Sequence, residues 1–154
     1  MARLHRFVEE NNCYHVVTTT RGRAPLFRDP QNAELLMKGI QFLRGRAFVL
    51  AYAAMPDHVH LLLVPKEGHT ISDVMKSLKG FTARIINVRL AQRGALWQQS
   101  FYDRIVRSDE QLWQTIEYIH HNPVAAALVE RAEDYSFSSA GRESTVDLED
   151  YFRE

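Results

Sequence analysis

Residues 54 to 65 read AMPDHVHLLLVP and set His58 and His60 two apart inside a strongly apolar run. In a β-strand alternate side chains share a face, so the two imidazoles point the same way and can hold one cation. By the same parity Val59, Leu61 and Leu63 make an apolar opposite face suited to packing on helices, while Leu62 and Val64 continue the histidine face. Further along, Tyr118 and Asn122 stand four apart. On a helix that spacing places them one turn apart on one side. Two neutral imidazoles and an amide oxygen, with coordination positions left open, suit Mg²⁺ or Mn²⁺ bound to a phosphodiester. The ion would act as a Lewis acid on the phosphate and Tyr118 as the nucleophile, giving a covalent phosphotyrosine. No separate general base is identifiable. Each piece alone also fits a plain structural role: a core or hairpin histidine pair, an interface tyrosine, an asparagine ending a helix before Pro123. His15, His69, His120 and His121 have no partner at metal-ligand spacing; His120 and His121 are left as candidates for DNA contact or a proton role.

The elements that must position these groups come from one domain of 154 residues, with a core at about 13 to 129 and an acidic tail at 130 to 154. No apolar run approaches the roughly 18 to 20 residues that span a bilayer, and the opening MARLHRFVEENN lacks the apolar stretch of a secretory signal. A cytoplasmic, nucleoid-associated protein is expected. The single cysteine, Cys13, excludes an internal disulfide and any multi-cysteine metal site, so metal chemistry must use nitrogen and oxygen ligands. Net charge is zero, yet residues 66 to 107 carry eight Lys or Arg against three acids, and 130 to 154 carry three against eight. A basic middle and an acidic end fit a phosphate-contacting surface with a solvated, self-masking tail; ordinary solvated helix faces are the alternative.

Taken in order, CYHVVTTT (13 to 20) reads as a strand, and residues 31 to 44 repeat Leu35, Leu36, Ile40 and Leu43 at helical spacing. RAFVLAYAAM is a second strand, joined by a short turn at Met55-Pro56-Asp57 to the histidine strand as an antiparallel hairpin. A long second helix starts at Thr70 as N-cap with Asp73 as its capping-box partner. Its buried stripe is Ile71, Val74, Leu78, Phe81, Ile85 and Val88 or Leu90, and its exposed stripe is Lys76, Lys79, Arg84, Arg89 and Arg93. SFYDRIVR is a fourth strand. The order β-α-β-β-α-β is the split βαβ, ferredoxin-like α+β pattern: an antiparallel sheet with both helices on one face and the other face free. A further helix opens at Ser108, buries Leu112, Ile116 and Ile119, carries Tyr118 on a polar flank with Gln111, Thr115 and Asn122, and should stop at Asn122 because Pro123 follows. The tail reads as a small docking segment and a loose end.

In combination, YHVVTT (14 to 19), AYAAMPDHVHLLLVP (51 to 65), WQQSFYDRIVR (97 to 107), IEYIHHNPVAAALV (116 to 129) and DYSFSS (134 to 139) resemble the single-tyrosine HUH transposases (IS200-like), and within them the REP-associated tyrosine transposases. The resemblance spans nearly the whole chain in order. It implies metal ligation by His58 and His60, a third ligand at Asn122 where relatives often place Gln or Asn, and the nucleophile at Tyr118. It further implies a Mg²⁺- or Mn²⁺-dependent endonuclease and strand transferase that binds a DNA hairpin, a repetitive extragenic palindrome, and cuts the adjacent single strand, leaving a 5′-phosphotyrosine and a free 3′-hydroxyl. Lys76, Lys79, Arg84, Arg104 and Arg107 would contact phosphates, and Tyr102 or Trp97 would stack bases. The protein would be a monomer, or a homodimer exchanging the Tyr118 helix. Three departures stand out: Ala125 and Ala127 replace the Arg and Gly of a common Asn-Pro-Val-Arg-Ala-Gly pattern, Ser136-Phe137 replaces Pro-Trp, and Asp57 stands where Asn is common and would orient a neighbouring histidine. The alternatives are a non-catalytic hairpin DNA- or RNA-binding module on the same fold, against which the inner strands lack paired aromatics, and a catalytically lapsed DNA-binding relative.

Overall fold

A computed structural model describes residues 12–153, so the leader-free start expected for the first residues lies outside the described ones. The elements are β1 (Cys13–Thr19), α1 (Pro30–Leu43), β2 (Ala47–Ala54), β3 (His58–Pro65), α2 (Ile71–Leu90), β4 (Tyr102–Val106), α3 (Asp109–Ala125) and a short α4 (Leu148–Arg153). The strands form one antiparallel sheet in the order β2-β3-β1-β4, the expected ferredoxin-like arrangement. No helix among the described residues is long and apolar enough to cross a membrane.

One sheet face is the apolar side read from parity. Val16, Val49, Val59, Leu61 and Leu63 pack there against Leu36, Ile40 and Leu43 of α1 and Val74, Met75, Leu78 and Ile86 of α2. Thr70 and Asp73 form the expected capping box. The buried stripe of α2 is rotated from the expected one: Met75, Thr82 and Ile86 are inside, whereas Val88 and Leu90 are exposed. The rotation follows from Trp97, whose indole N–H donates to the Thr82 hydroxyl at 2.9 Å, so a polar residue is satisfied in the interior.

The opposite face is not free. Leu112, Ile116 and Ile119 of α3 and Tyr151 of α4 lie over Cys13, Leu62, Val64 and Val106. Leu62 and Val64 continue the histidine face as apolar residues, and the apolar stripe of α3 has to be buried somewhere. Burial pushes the Cys13 thiol well up, which fits a purely structural role. The tail is not loose either: Asp147 accepts from the Val49 amide at 2.9 Å and pairs with Arg44 at 2.9 Å, and Ser139 N–H donates to Tyr52 O at 3.0 Å. Half the acidic end is thus docked along β2.

Two helix ends depart from expectation. α3 runs through Pro123 to Ala125 instead of stopping at Asn122. Proline there removes one donor in the last turn, and burial of Ile119 and Pro123 on one stripe outweighs the loss. The helix then closes with Leu128 N–H on Pro123 O and Ala127 N–H on Val124 O, a Schellman motif with Ala127 at φ 59. The sharp turn that a glycine would favour is therefore made by alanine. α2 ends the same way, with Gln92 N–H on Asn87 O and Ala91 at φ 51. A left-handed alanine is strained by about 1 kcal/mol relative to glycine. Ala91→Gly and Ala127→Gly should each raise the melting temperature by roughly 2–4 °C; a fall in both by differential scanning calorimetry would show that these ends are not strained.

Candidate active site

The site lies where α3 stops covering the histidine face. Register explains who meets there. Val17 pairs with His60 on one side and Tyr102 on the other; His15 pairs with Leu62 and Arg104; Thr19 pairs with His58. Paired residues in adjacent strands share a face, so His15, His58, His60, Tyr102 and Arg104 all stand on one side of the sheet. His15 is the diagonal neighbour of His60, a distance that long side chains bridge.

The contacts are specific. His58 donates from Nδ1 to Asp57 Oδ1 at 2.7 Å, and Arg23 Nε holds the other carboxylate oxygen at 3.2 Å. His60 Nδ1 lies 3.0 Å from His15 Nε2. The His58 and His60 rings meet edge to face at 5.1 Å between centroids. Tyr118, which is 57% exposed, places its ring 5.7 Å from that of His60 and 5.9 Å from that of His15, both edge-on. Within the chain Tyr118 thus stands beside the His60 and His15 rings. Asn122 sits one turn further along α3, half-buried, and its Nδ2 donates to Tyr118 O at 3.3 Å.

These donors fit a divalent cation. His58 and His60 each engage Nδ1 with a neighbour, which leaves Nε2 as the nitrogen each could present to a metal. Among the described residues no three His, Cys, Asp or Glu side chains form a metal-holding group. A cation held by His58 and His60 would therefore need oxygen ligands, from Asn122, water or a bound phosphate, to complete its shell.

Burial lowers both inner histidines. His60 falls to about 3, mainly by desolvation and then by the charges of His58 and His15. His15 falls to about 4, by desolvation and then by the Arg104 guanidinium. In the unfolded chain both return to the ordinary 6.5. Their contribution to stability is therefore complete above about pH 6.5 and is lost as pH drops through 6.5 toward 4 and 3. With chelator present, unfolding near pH 5 should take up about one more proton in the wild type than in His15→Phe. Equal pH slopes of the urea midpoint in the two proteins would refute this.

The remaining candidates divide. Tyr102 and Arg104 are exposed on the edge strand, and Arg104 lines a cleft of about 370 Å³ with Gln111, Gln114, Thr115 and Tyr118. Arg107 is exposed at the same edge. Lys76 and Arg84 line a different groove with Phe42 and Phe81, on the helical layer behind the sheet. Lys79 is held in place by its ammonium donating to Gln98 O at 2.7 Å, so it anchors the loop before β4. Trp97 is buried in the core and offers no face to a base. Thr115 stays on the flank that walls the Arg104 cleft but is buried there, its hydroxyl donating to Gln111 O. His120 bonds the Ser139 hydroxyl at 2.8 Å, His69 meets Asp73 at 3.2 Å, and His121 is exposed. His15 is the residue that sequence spacing missed: its partner lies 45 positions away, and only the β1–β3 register could have revealed it.

The family model described as Transposase IS200 like matches residues 9–122. A Haemophilus influenzae protein classed with the REP-associated tyrosine transposases is 28% identical over 109 residues, covering 64% of this chain and 62% of that relative. The chain thus spans under two thirds of that protein. The REP-associated tyrosine transposase of Escherichia coli is 22% identical over 145 residues, covering 93% of this chain and 85% of the relative. A solved structure of a REP-associated tyrosine transposase bound to a REP hairpin superposes with a TM-score of 0.74 at 21% identity, covering 89% of this chain and 81% of that one. At that identity the likeness speaks for the fold.

Proposed function

This chain belongs to the IS200-like transposase family, and on that footing we propose that it is a metal-dependent single-strand DNA endonuclease and strand transferase acting beside DNA hairpins. The observation that carries the reading is the meeting of Tyr118 with His60 at 5.7 Å between ring centroids, within one chain. His58, His60 and Asn122 would hold Mg²⁺ or Mn²⁺, which when bound supplies Lewis-acid polarisation of the scissile phosphate. Tyr118 Oη attacks phosphorus, the P–O3′ bond breaks, the 3′-oxygen leaves and is protonated as a hydroxyl, and the phenol proton passes to solvent. The product is a 5′-phosphotyrosine, which a 3′-hydroxyl can attack in the reverse sense to rejoin strands.

Exposure of Tyr118 suits a nucleophile that must reach a macromolecular substrate. The cleft beside it, walled by Arg104, Gln111 and Gln114, offers a cation and amide groups to a strand passing along α3. Tyr102, 63% exposed on the edge strand, offers a ring for an unpaired base. Lys76 and Arg84 stand behind the sheet, so they would serve only the duplex part of a hairpin long enough to reach around the molecule. A REP hairpin is the substrate favoured by the relatives' names and by the hairpin held in the similar structure.

The test is incubation with an end-labelled hairpin bearing a single-stranded extension, with Mg²⁺ or Mn²⁺. A labelled adduct surviving denaturation supports the proposal. Hairpin binding with no adduct under either metal would make the protein a binding module instead.

A further inference from the structure

We infer that His15 is a positioning residue for the metal site: it selects the tautomer of His60 and so presents His60 Nε2 to the ion. The inference rests on the reading of His58 and His60 as ligands and adds a residue from another strand. Its basis is proton counting. A neutral imidazole carries one proton, and a hydrogen bond between two imidazole nitrogens uses one. His60 Nδ1 and His15 Nε2 are 3.0 Å apart. For His60 to offer a lone pair at Nε2, its proton must sit on Nδ1, and the acceptor is then His15 Nε2. His15 in turn carries its proton on Nδ1.

The two proposed ligands are served differently, for a physical reason. His58 is the more open ring, with a side chain 20% exposed, and its partner is the carboxylate of Asp57, itself tied to Arg23. His60 is 5% exposed, and a carboxylate beside it would be a charge poorly paid back in the interior. A neutral imidazole, 6% exposed on the adjacent strand, supplies the same acceptor without that charge. The strand register holds it there: Val17 pairs with His60 and His15 with Leu62, so the donor–acceptor separation is set by backbone hydrogen bonds of β1 and β3. The His15 ring also forms part of the wall against which Tyr118 rests, at 5.9 Å between centroids. One side chain therefore orients a ligand and backs the nucleophile.

Two variants separate hydrogen bonding from packing. His15→Phe keeps a planar ring of similar size and removes the acceptor; His15→Gln keeps an acceptor on a different frame. In metal-free protein, the ¹⁵N shifts of His60 should report the Nδ1–H tautomer in the wild type and in His15→Gln, and the Nε2–H tautomer in His15→Phe. Titration with Mn²⁺ should then show an affinity about 10- to 100-fold weaker in His15→Phe and largely restored in His15→Gln. An Nε2–H tautomer in the wild type would overturn the inference, as would equal Mn²⁺ affinity in wild type and His15→Phe. Failure of the wild type to bind Mn²⁺ at all would overturn the ligand reading itself, a result separable because the tautomer is read without metal.

Discussion

Replacing Tyr118 with phenylalanine is expected to abolish the covalent DNA adduct while leaving the fold and hairpin binding in place. The phenol oxygen is the atom that would form the new bond to phosphorus, and no neighbouring hydroxyl on α3 can take its place: Thr115 is buried with its hydroxyl on Gln111 O. Cleavage should fall by on the order of 10³ or more, as with other removed nucleophiles. Tyr118 is mostly exposed, and the ring contacts with His15 and His60 survive in phenylalanine. Stability should therefore change by less than about 0.5 kcal/mol. Denaturing gels of the labelled adduct, read beside gel-shift binding and a melting curve, check all three. An adduct of undiminished yield in Tyr118→Phe would remove the tyrosine from the chemistry.

His58→Ala should produce the second large loss, this time of metal affinity. His58 is the more exposed of the two proposed ligands, and its side-chain partner is Asp57 at 2.7 Å. Removing it costs little packing, whereas His60→Ala would leave the buried His15 nitrogen without its partner, at about 1–3 kcal/mol. Mn²⁺ affinity of His58→Ala, measured by titration calorimetry, should drop by more than about 100-fold, beyond the 10- to 100-fold typical of an outer-shell change such as Asp57→Ala. Cleavage should vanish in both His58→Ala and chelator-treated wild type, and return on adding Mn²⁺ only in the latter. Mn²⁺ affinity unchanged in His58→Ala would move the ion elsewhere.

The helix carrying Tyr118 shows how local and tertiary information divide. Its N-terminus is local: Ser108 accepts from the Gln111 amide at 3.1 Å, as a cap read from residue types alone would. Its buried stripe, Leu112, Ile116 and Ile119, follows from 3.6-residue periodicity, and the exposure of Tyr118 follows with it. Its end does not follow. Pro123 argues locally for an earlier stop and alanine at 127 against a left-handed turn, yet packing carries the helix to Ala125 and holds Ala127 in left-handed geometry. Trp97 and Lys79 are similar cases. Both are types that bind nucleic acid, and both are engaged by neighbours 15 and 19 residues away, the Thr82 hydroxyl and the Gln98 carbonyl.

From the amino-acid order alone one can read the α+β element sequence, the shared face of His58 and His60, the shared flank of Tyr118 and Asn122, and the family, because each is a matter of periodicity or contiguous motif. Three things belong to tertiary structure. α3 covers the second face of the sheet, so the site is a cleft at a helix edge and not an open sheet. The tyrosine meets the histidines of its own chain. His15 joins them across β1 and β3. All three depend on which strands are neighbours and in what register, and a hydrogen-bonded pairing between segments some 45 residues apart leaves no periodic trace in either segment.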